Sequence, residues 1–343
     1  MSKPLNTAGL LIILFVMAAS SSDADTETFE RILINAPPTP PKNVTRKAVQ
    51  LPSPDPAKGI AMIQDVPAYT WSFGCAPTSA AMVAAYYDRN GYPDMYTGPT
   101  NNGVMPLNND DYWSSWVDAC GRSLHRCPLA ATQKGLDGRN PRGHVDDYWK
   151  CYGSTESDPY INSWPEHAAG DCLGDFMGSN QSALNNVDGA TYFISLTSGN
   201  PLHASTIFNE GPDFYNKSGL CGIVEFYNSR GYNVVEAYNQ KIHPTHAAGF
   251  TYTQYKAEID AGRPVLLHVT GHTLVGVGYK DDGVTELLYI HTTWDHNVDT
   301  MTWGGNYNDH PLYMVTVVKL DPDQAVEEKD NAFLPGIYNL LFE

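Results

Sequence analysis

A cysteine at the start of an apolar, helix-forming segment is the residue best placed for chemistry in this sequence. Cys75 lies in the run GCAPTSAAM, residues 74–82. A thiol at a helix N-terminus faces unpaired backbone N–H groups and the positive end of the helix dipole, which favour the thiolate. Pro77 suits the first turn, because its missing N–H would have no partner there. The pattern predicts that Cys75 is an activated nucleophile, with a disulfide or an inert buried thiol as the alternative.

A thiolate nucleophile needs a base, and the base needs a third group that orients it. His272 lies at the entrance of the apolar strand-like run TLVGVGY, residues 273–279. After a turn at residues 280–283, the next strand-like run ends in HTTWD, residues 291–295. A polar residue at that end would lie on the strand beside His272. The order cysteine, histidine, polar residue predicts a catalytic site, although a lone strand histidine is more often structural.

These segments resemble the papain-like cysteine peptidases, closest to the branch related to peptidases that process bacteriocin leaders. GCAPTSAAM resembles the nucleophile motif of that branch, AEIDAGRPVLLHVTGHTLVGVGY (residues 257–279) resembles the approach to its catalytic histidine, and YIHTTWD (residues 289–295) resembles the strand that follows. The likeness covers roughly residues 60–90 and 215–320. It implies a papain-like fold and hydrolysis of an amide bond through a thiol ester, with Cys75 as nucleophile and His272 as general base, and no cofactor.

The sequence departs from the family pattern at two points. Papain relatives carry Asn-Ser-Trp-Gly after the histidine strand, and that alignment puts Thr292 at the orienting position, so we favour Asp295, the nearest carboxylate, over Thr292. Relatives also place a glutamine shortly before the cysteine to donate into the oxyanion hole, whereas residues 69–72 are YTWS and the nearest glutamine is Gln64. Two alternatives therefore stay open: an inactive module that binds peptide or cell-wall material, and an amidase of cell-wall peptides.

The elements that must position these residues form an α+β pattern. Residues 75–89 are apolar on nearly every side and predict a buried helix that ends at Asn90-Gly91. The predicted later elements are helices at 220–230 and 255–260 and strands at 232–238, 264–269, 273–279, 286–291 and 312–320. One early helix followed by late antiparallel strands is typical of α+β folds. Residues 92–215 predict a long, loop-rich insertion.

Six cysteines in an exported chain commonly form a disulfide framework. They are Cys75, Cys120, Cys127, Cys151, Cys172 and Cys221. A nucleophilic Cys75 must be free, which leaves two disulfides and one further free thiol. The shortest separations suggest the pairs Cys120–Cys127 and Cys151–Cys172, with Cys221 unpaired in its helix; other pairings stay open.

The N-terminus has the pattern of a secretory signal peptide. Lys3 precedes the apolar run LLIILFVM, residues 10–17, and small residues follow. We predict a signal peptide at 1–20, a proline-rich linker or a pro-segment covering a cleft at 21–59, a peptidase domain at 60–320 and a tail at 321–343. The expected location is secreted, extracellular or periplasmic.

Charge and composition limit the partners. Lys plus Arg is 21 and Asp plus Glu is 38, so the formal net charge is −17. Such an acidic chain repels phosphates, which argues against nucleic acid as a partner. The family resemblance implies a peptide or protein substrate. No run after residue 17 is apolar enough for a transmembrane segment. The histidines lack the spacing of a zinc ligand set, so we predict no metal site. They include His243, His246, His268 and His272.

Overall fold

The computed structural model describes residues 27–41, 52–96, 98, 100–118, 120–131, 152, 172–179 and 188–325, together with the backbone of a strand at 15–17. The helices are α1 Cys75–Arg89, α2 Leu173–Met177, α3 Ala204–Asn209, α4 Pro212–Tyr215, α5 Gly219–Ser229 and α6 Tyr252–Asp260. The strands are β1 Phe15–Met17, β2 Phe29–Ile34, β3 Ile60–Met62, β4 Ser115–Val117, β5 Ser123–His125, β6 Thr191–Leu196, β7 Leu202–His203, β8 Val234–Lys241, β9 Val265–Val269, β10 His272–Asp281, β11 Glu286–His291, β12 Asp299–Thr302, β13 Asn306–Tyr307 and β14 His310–Leu320. The rest of the predicted signal peptide, Cys151 and residues 326–343 lie outside the described residues.

A nine-stranded antiparallel sheet forms the centre of the described fold. Its main order is β12-β11-β10-β9-β14-β8-β7, with β3 paired to β10 and β13 to β14. The middle strands β9 and β10 are buried along almost their whole length because helices or strands cover both faces. The predicted late strands are therefore confirmed, and the mixed α and β composition with them.

Helix α1 has the predicted bounds and packs on the central sheet. It starts after Gly74, which ends the preceding segment. The φ of Gly74 is 122°, an angle that glycine adopts readily and residues with a side chain rarely do. The alanine-rich sequence is buried on nearly every side, as the pattern predicts. Ser79 Oγ donates to the carbonyl oxygen of Thr273 on β10 at 3.0 Å, and this bond fixes the first turn of the helix against that strand.

The N-terminal region contributes a core strand within the segment predicted as a linker or pro-segment. Strand β2 pairs antiparallel with β6 along all six residues, and β1 pairs with its other edge. The inward residues of β2 are buried, Ile34 completely. In the sequence FERILI two charged residues separate Phe29 from three apolar residues, which is not the alternation of a half-buried strand. Its partner β6 lies far along the chain, and proline-rich sequence follows it directly. Residues 29–34, which fall in the predicted linker or pro-segment, therefore form a paired strand.

The insertion predicted as loop-rich contains ordered parts that the sequence pattern did not indicate. Strand β6 is buried at every residue, and α2 packs against α5. The cysteine pairing also differs from the prediction, because Cys127 and Cys172 are free thiols, whereas Cys120 is disulfide-bonded. Cys75 and Cys221 are free, as predicted. Among the described residues, no helix combines the length and apolar character needed to cross a bilayer.

Candidate active site at the start of the first helix

Cys75 is the first residue of α1 and is completely buried. The segment before it is held from two sides. The backbone N–H of Trp71 donates to the carbonyl oxygen of Thr293 at 2.7 Å, and the N–H of Ser72 donates to Thr78 Oγ1 at 3.1 Å. Thr78 Oγ1 in turn donates to the carbonyl oxygen of Gly74 at 2.6 Å. These bonds fix the position of the sulfur relative to the loop after β11.

Gly74 is required at the entry to the helix by a close backbone approach. A side-chain carbon at this position would lie 2.6 Å from the carbonyl oxygen of Gly189, and one at Gly189 would lie 2.5 Å from the Cα of Gly74. Both glycines also have positive φ angles, of 122° and 72°. The two glycines therefore let the loop before β6 pack directly against the N-terminus of α1.

His272 begins β10 and is only 2% exposed. Its Nε2 donates to the backbone carbonyl oxygen of Thr292 at 2.7 Å. The imidazole is stacked on the indole of Trp294, with ring centroids 4.0 Å apart and planes 3° from parallel. Because a carbonyl only accepts, Nε2 carries the proton, and Nδ1 holds the lone pair of the neutral ring. Nδ1 has no hydrogen-bond partner among the described residues.

The group that orients the imidazole is a backbone carbonyl, where the sequence favoured a side chain. Thr292 lies at the predicted position, but its main chain accepts the bond from Nε2. Asp295 Oδ1 accepts from the backbone N–H of Asn297 at 2.9 Å, in the turn that leaves β11. The bond is made by the main chain of Thr292 and does not depend on its side chain. Neither the Thr292 hydroxyl nor the Asp295 carboxylate is therefore needed to orient the ring.

Cys75 and His272 lie at the same place in the fold, because Thr273, the neighbour of His272, contacts both ends of the first turn of α1. Its carbonyl accepts from Ser79, and its backbone N–H lies near the Cys75 sulfur. No hydrogen bond joins the sulfur to Nδ1 of His272 in this arrangement. The structure thus brings the two predicted catalytic residues to one site without a direct bond between them.

Burial keeps Cys75 and His272 neutral, whereas the sequence predicted a thiolate at Cys75. Burial raises the pKa of the Cys75 thiol, and hydrogen bonds from the backbone N–H groups of Ala36, Thr273 and Ala76 only partly oppose it. Burial lowers the pKa of His272 to about 3, with the bond to Thr292 opposing it. At about pH 7 both groups are neutral in the closed arrangement, because the cost of desolvating a charge exceeds what the helix N-terminus supplies.

The segment that follows β2 covers the site, and nothing in the motifs indicated this. The carbonyl oxygens of three successive residues accept hydrogen bonds from aromatic side chains around Cys75. Trp71 Nε1 donates to Ala36 O at 3.2 Å, Trp294 Nε1 donates to Pro37 O at 3.0 Å, and the Tyr152 hydroxyl donates to Asn35 O. The signals that could have found these donors were the indoles next to the two motifs and the prolines after β2.

The residues before Cys75 supply one candidate oxyanion donor. The Tyr69 hydroxyl donates to the carbonyl oxygen of Pro106 at 2.7 Å, and Ser72 Oγ accepts from the backbone N–H of Cys127 at 2.9 Å, so both are committed elsewhere. The Trp71 indole N–H instead donates to the carbonyl of Ala36, a residue whose backbone N–H lies near the sulfur. Trp71 therefore donates to a peptide carbonyl beside Cys75, which is the task of an oxyanion donor.

A cavity of about 230 Å³ remains open beside the covered site. Ile32 and Leu33 of β2 form one wall, and Thr270 and Gly271, which lead into His272, form another. Tyr313 on β14 closes the side that approaches Cys75.

Among the described residues no cluster of histidine, cysteine and carboxylate side chains has the arrangement of a metal site. No protein-family model, curated protein or solved structure matches this chain.

Proposed function

We propose that this chain is a papain-like cysteine peptidase that hydrolyses peptide amide bonds with Cys75 and His272. One observation carries the proposal: His272, held as the Nε2–H tautomer by Thr292, keeps an unpartnered Nδ1 lone pair at the start of β10, the strand to which the helix that begins with Cys75 is bonded through Ser79. A base with its other nitrogen fixed and a thiol at a helix N-terminus are the two parts that thiol nucleophilic catalysis requires. The Trp294 indole keeps water from the Nε2 bond by covering the ring.

The reaction follows from these parts. Nδ1 of His272 takes the thiol proton, and the sulfur of Cys75 attacks the substrate carbonyl carbon to form a tetrahedral oxyanion. The imidazolium returns that proton to the leaving amine, and the carbon–nitrogen bond breaks to leave a thiol ester. A water then gives a proton to Nδ1 and its oxygen to the carbonyl carbon. The carbon–sulfur bond breaks, the acid product leaves, and the sulfur recovers its proton.

Two backbone or side-chain donors are available to the oxyanion. The backbone N–H of Cys75 lies at the helix N-terminus, and the Trp71 indole N–H is bonded to a peptide carbonyl beside the sulfur. An oxyanion donor contributes about a hundred- to thousandfold to turnover in related chemistry. Trp71 thus takes the place of the glutamine that the sequence lacks at this distance from the cysteine.

A second candidate function is binding of peptide without hydrolysis. The neutral thiol and the neutral imidazole in the closed site favour it, because a reactive pair needs the thiolate. The peptidase proposal requires that displacement of the covering segment admits water and substrate, which removes the burial that holds both groups neutral.

Hydrolysis of a mixture of fluorogenic peptides separates the two functions. We expect hydrolysis by the full chain that Cys75→Ala abolishes and that His272→Gln lowers by at least about a hundredfold. Cys221→Ala is the matched control, since Cys221 is an equally buried free thiol in α5, away from His272. Residual hydrolysis that is equal in Cys75→Ala and in the unchanged chain would overturn the peptidase proposal, as would hydrolysis that Cys221→Ala also removes.

A further inference from the structure

Residues 35–38 lie across the site in the way that an extended peptide ligand would. Burial alternates along them, with Ile34, Ala36 and Pro38 buried and the residues between them half-buried. Ala36 is 3% exposed, and its backbone N–H lies near the Cys75 sulfur. This segment therefore occupies a groove, which we call the carbonyl groove and define by Trp71, Trp294 and Tyr152.

The carbonyl groove presents donors to its occupant. Two indole N–H groups and one phenol hydroxyl bond three successive carbonyl oxygens. An indole can only donate, so two of these positions bind carbonyl oxygens and no amide N–H. Pro37 and Pro38 carry no N–H, so the occupant leaves no buried donor unpaired at these positions. A peptide with N–H groups there would bury donors without acceptors, at a cost for each of them.

The position over the sulfur also selects by size. Ala36 is almost completely buried, and its side chain is a single methyl group. A long or charged residue at this position would have to displace the residues packed around it. The two constraints together define a ligand: an extended peptide with a small residue at the sulfur, followed by proline.

We infer that the carbonyl groove is the peptide-binding site of this protein and that its ligands are extended peptides in which a small residue precedes proline. The chain's own Asn35-Ala36-Pro37-Pro38 is bound there in the closed state. The inference rests on the proposed function for the meaning of the site, and it names the substrate class. It also explains why Cys75 is completely buried: a bound peptide segment covers it.

The test uses the full chain with Cys75→Ala, so that binding is measured without chemistry. Ala36→Arg displaces the internal segment because an arginine cannot fit over residue 75. Thr39→Arg is the matched control, since it adds the same side chain three residues later at an exposed position. We expect the acetylated heptapeptide NAPPTPP, residues 35–41, to bind the Ala36→Arg chain at least about tenfold more tightly than the Thr39→Arg chain.

Variants of both partners test the donors. In the Ala36→Arg chain, Trp71→Phe or Trp294→Phe should weaken peptide binding about fivefold, which is the value of one hydrogen bond. Trp303→Phe should leave it unchanged, because Trp303 Nε1 donates to the carbonyl oxygen of His243, outside the groove. A heptapeptide with Pro37→Leu and Pro38→Leu should bind at least about tenfold less tightly. Equal binding of the heptapeptide by all these variants, or no binding by the Ala36→Arg chain, overturns the inference.

A second measurement keeps the inference testable if Ala36→Arg does not fold. In the chain with Cys75 and Ala36 retained, Trp71→Phe combined with Trp294→Phe should raise the rate of Cys75 alkylation by iodoacetamide about tenfold, and Trp303→Phe should not. An unchanged rate in the double variant overturns the inference. The two proposals fail separately: binding of the heptapeptide by the Cys75→Ala chain, with no hydrolysis by the unchanged chain, overturns the peptidase proposal alone.

Discussion

Acidification should destabilise this protein through a buried neutral histidine behind the site, His268. Its ring is fully buried on β9, and burial lowers its pKa to about 3. Thr316 Oγ1 donates to Asn239 Oδ1 at 2.6 Å, so it accepts from His268 Nε2 at 2.8 Å. Nδ1 therefore accepts from Thr273 Oγ1 at 3.1 Å, and a proton on Nδ1 would reverse that bond and leave the Thr273 hydroxyl hydrogen without this acceptor. The threonine held by this bond is the one whose N–H contacts the Cys75 sulfur.

The sign and size of the effect follow from the two pKa values. The unfolded chain binds a proton at a pKa of about 6.5, whereas the folded chain binds it only near the lowered value of about 3. Stability is therefore complete above about pH 6.5 and is lost as the pH falls toward about 3. Between about pH 6 and about pH 4 the loss from this one group is about 2.5 kcal/mol. Burial also lowers the pKa of His272 and of His291, which adds to the same trend.

Urea unfolding at a series of pH values isolates the contribution of His268. In His268→Gln the amide can still donate to Thr316, and one proton-uptake site is gone. The slope of the free energy of unfolding against pH between about 4 and about 6 should fall by about 1.4 kcal/mol per pH unit, the value of one proton. His243→Gln is the control, because His243 is exposed. Parallel curves for His268→Gln and the unchanged chain would refute the assignment of His268 as neutral in the folded state.

Three further outcomes follow from the site and its support. Thr292→Val and Asp295→Asn should each keep kcat/KM for peptide hydrolysis within about threefold, because a backbone carbonyl holds the base; a hundredfold loss in either would contradict that geometry. Gly74→Ala should lower the free energy of unfolding by about 1–3 kcal/mol, through positive φ and the clash with Gly189, and an unchanged urea midpoint would contradict the close approach. Asp88→Ala should cost about 3 kcal/mol, because its carboxylate accepts from three backbone N–H groups; a loss below about 0.5 kcal/mol would show those groups to be solvated.

Local sequence signals were enough to predict the elements that hold Cys75 and His272. The bounds of α1 were predictable because an apolar run, a glycine before it and Asn90-Gly91 after it are local signals. Strand β11 has its predicted bounds, and His272 begins the strand beside it, because alternating runs and turns fix neighbouring antiparallel strands. The free state of Cys75 also followed, since a nucleophile must be unpaired.

Only the tertiary structure decided what surrounds those residues. Ala36, Cys75 and Trp294 come together from distant parts of the chain, and no local pattern encodes such a contact. The cysteine pairs predicted from separation were wrong because a disulfide depends on the distance and direction of side chains, which short separation does not supply. The orienting group was missed because every residue has a backbone carbonyl, so its use leaves no mark in the sequence. The neutral states of Cys75 and His272 likewise depend on burial, to which the segment after β2 contributes, and only folding sets the position of that segment. The effect of burial on the Cys75 pKa exceeds that of the helix N-terminus, which the sequence did indicate.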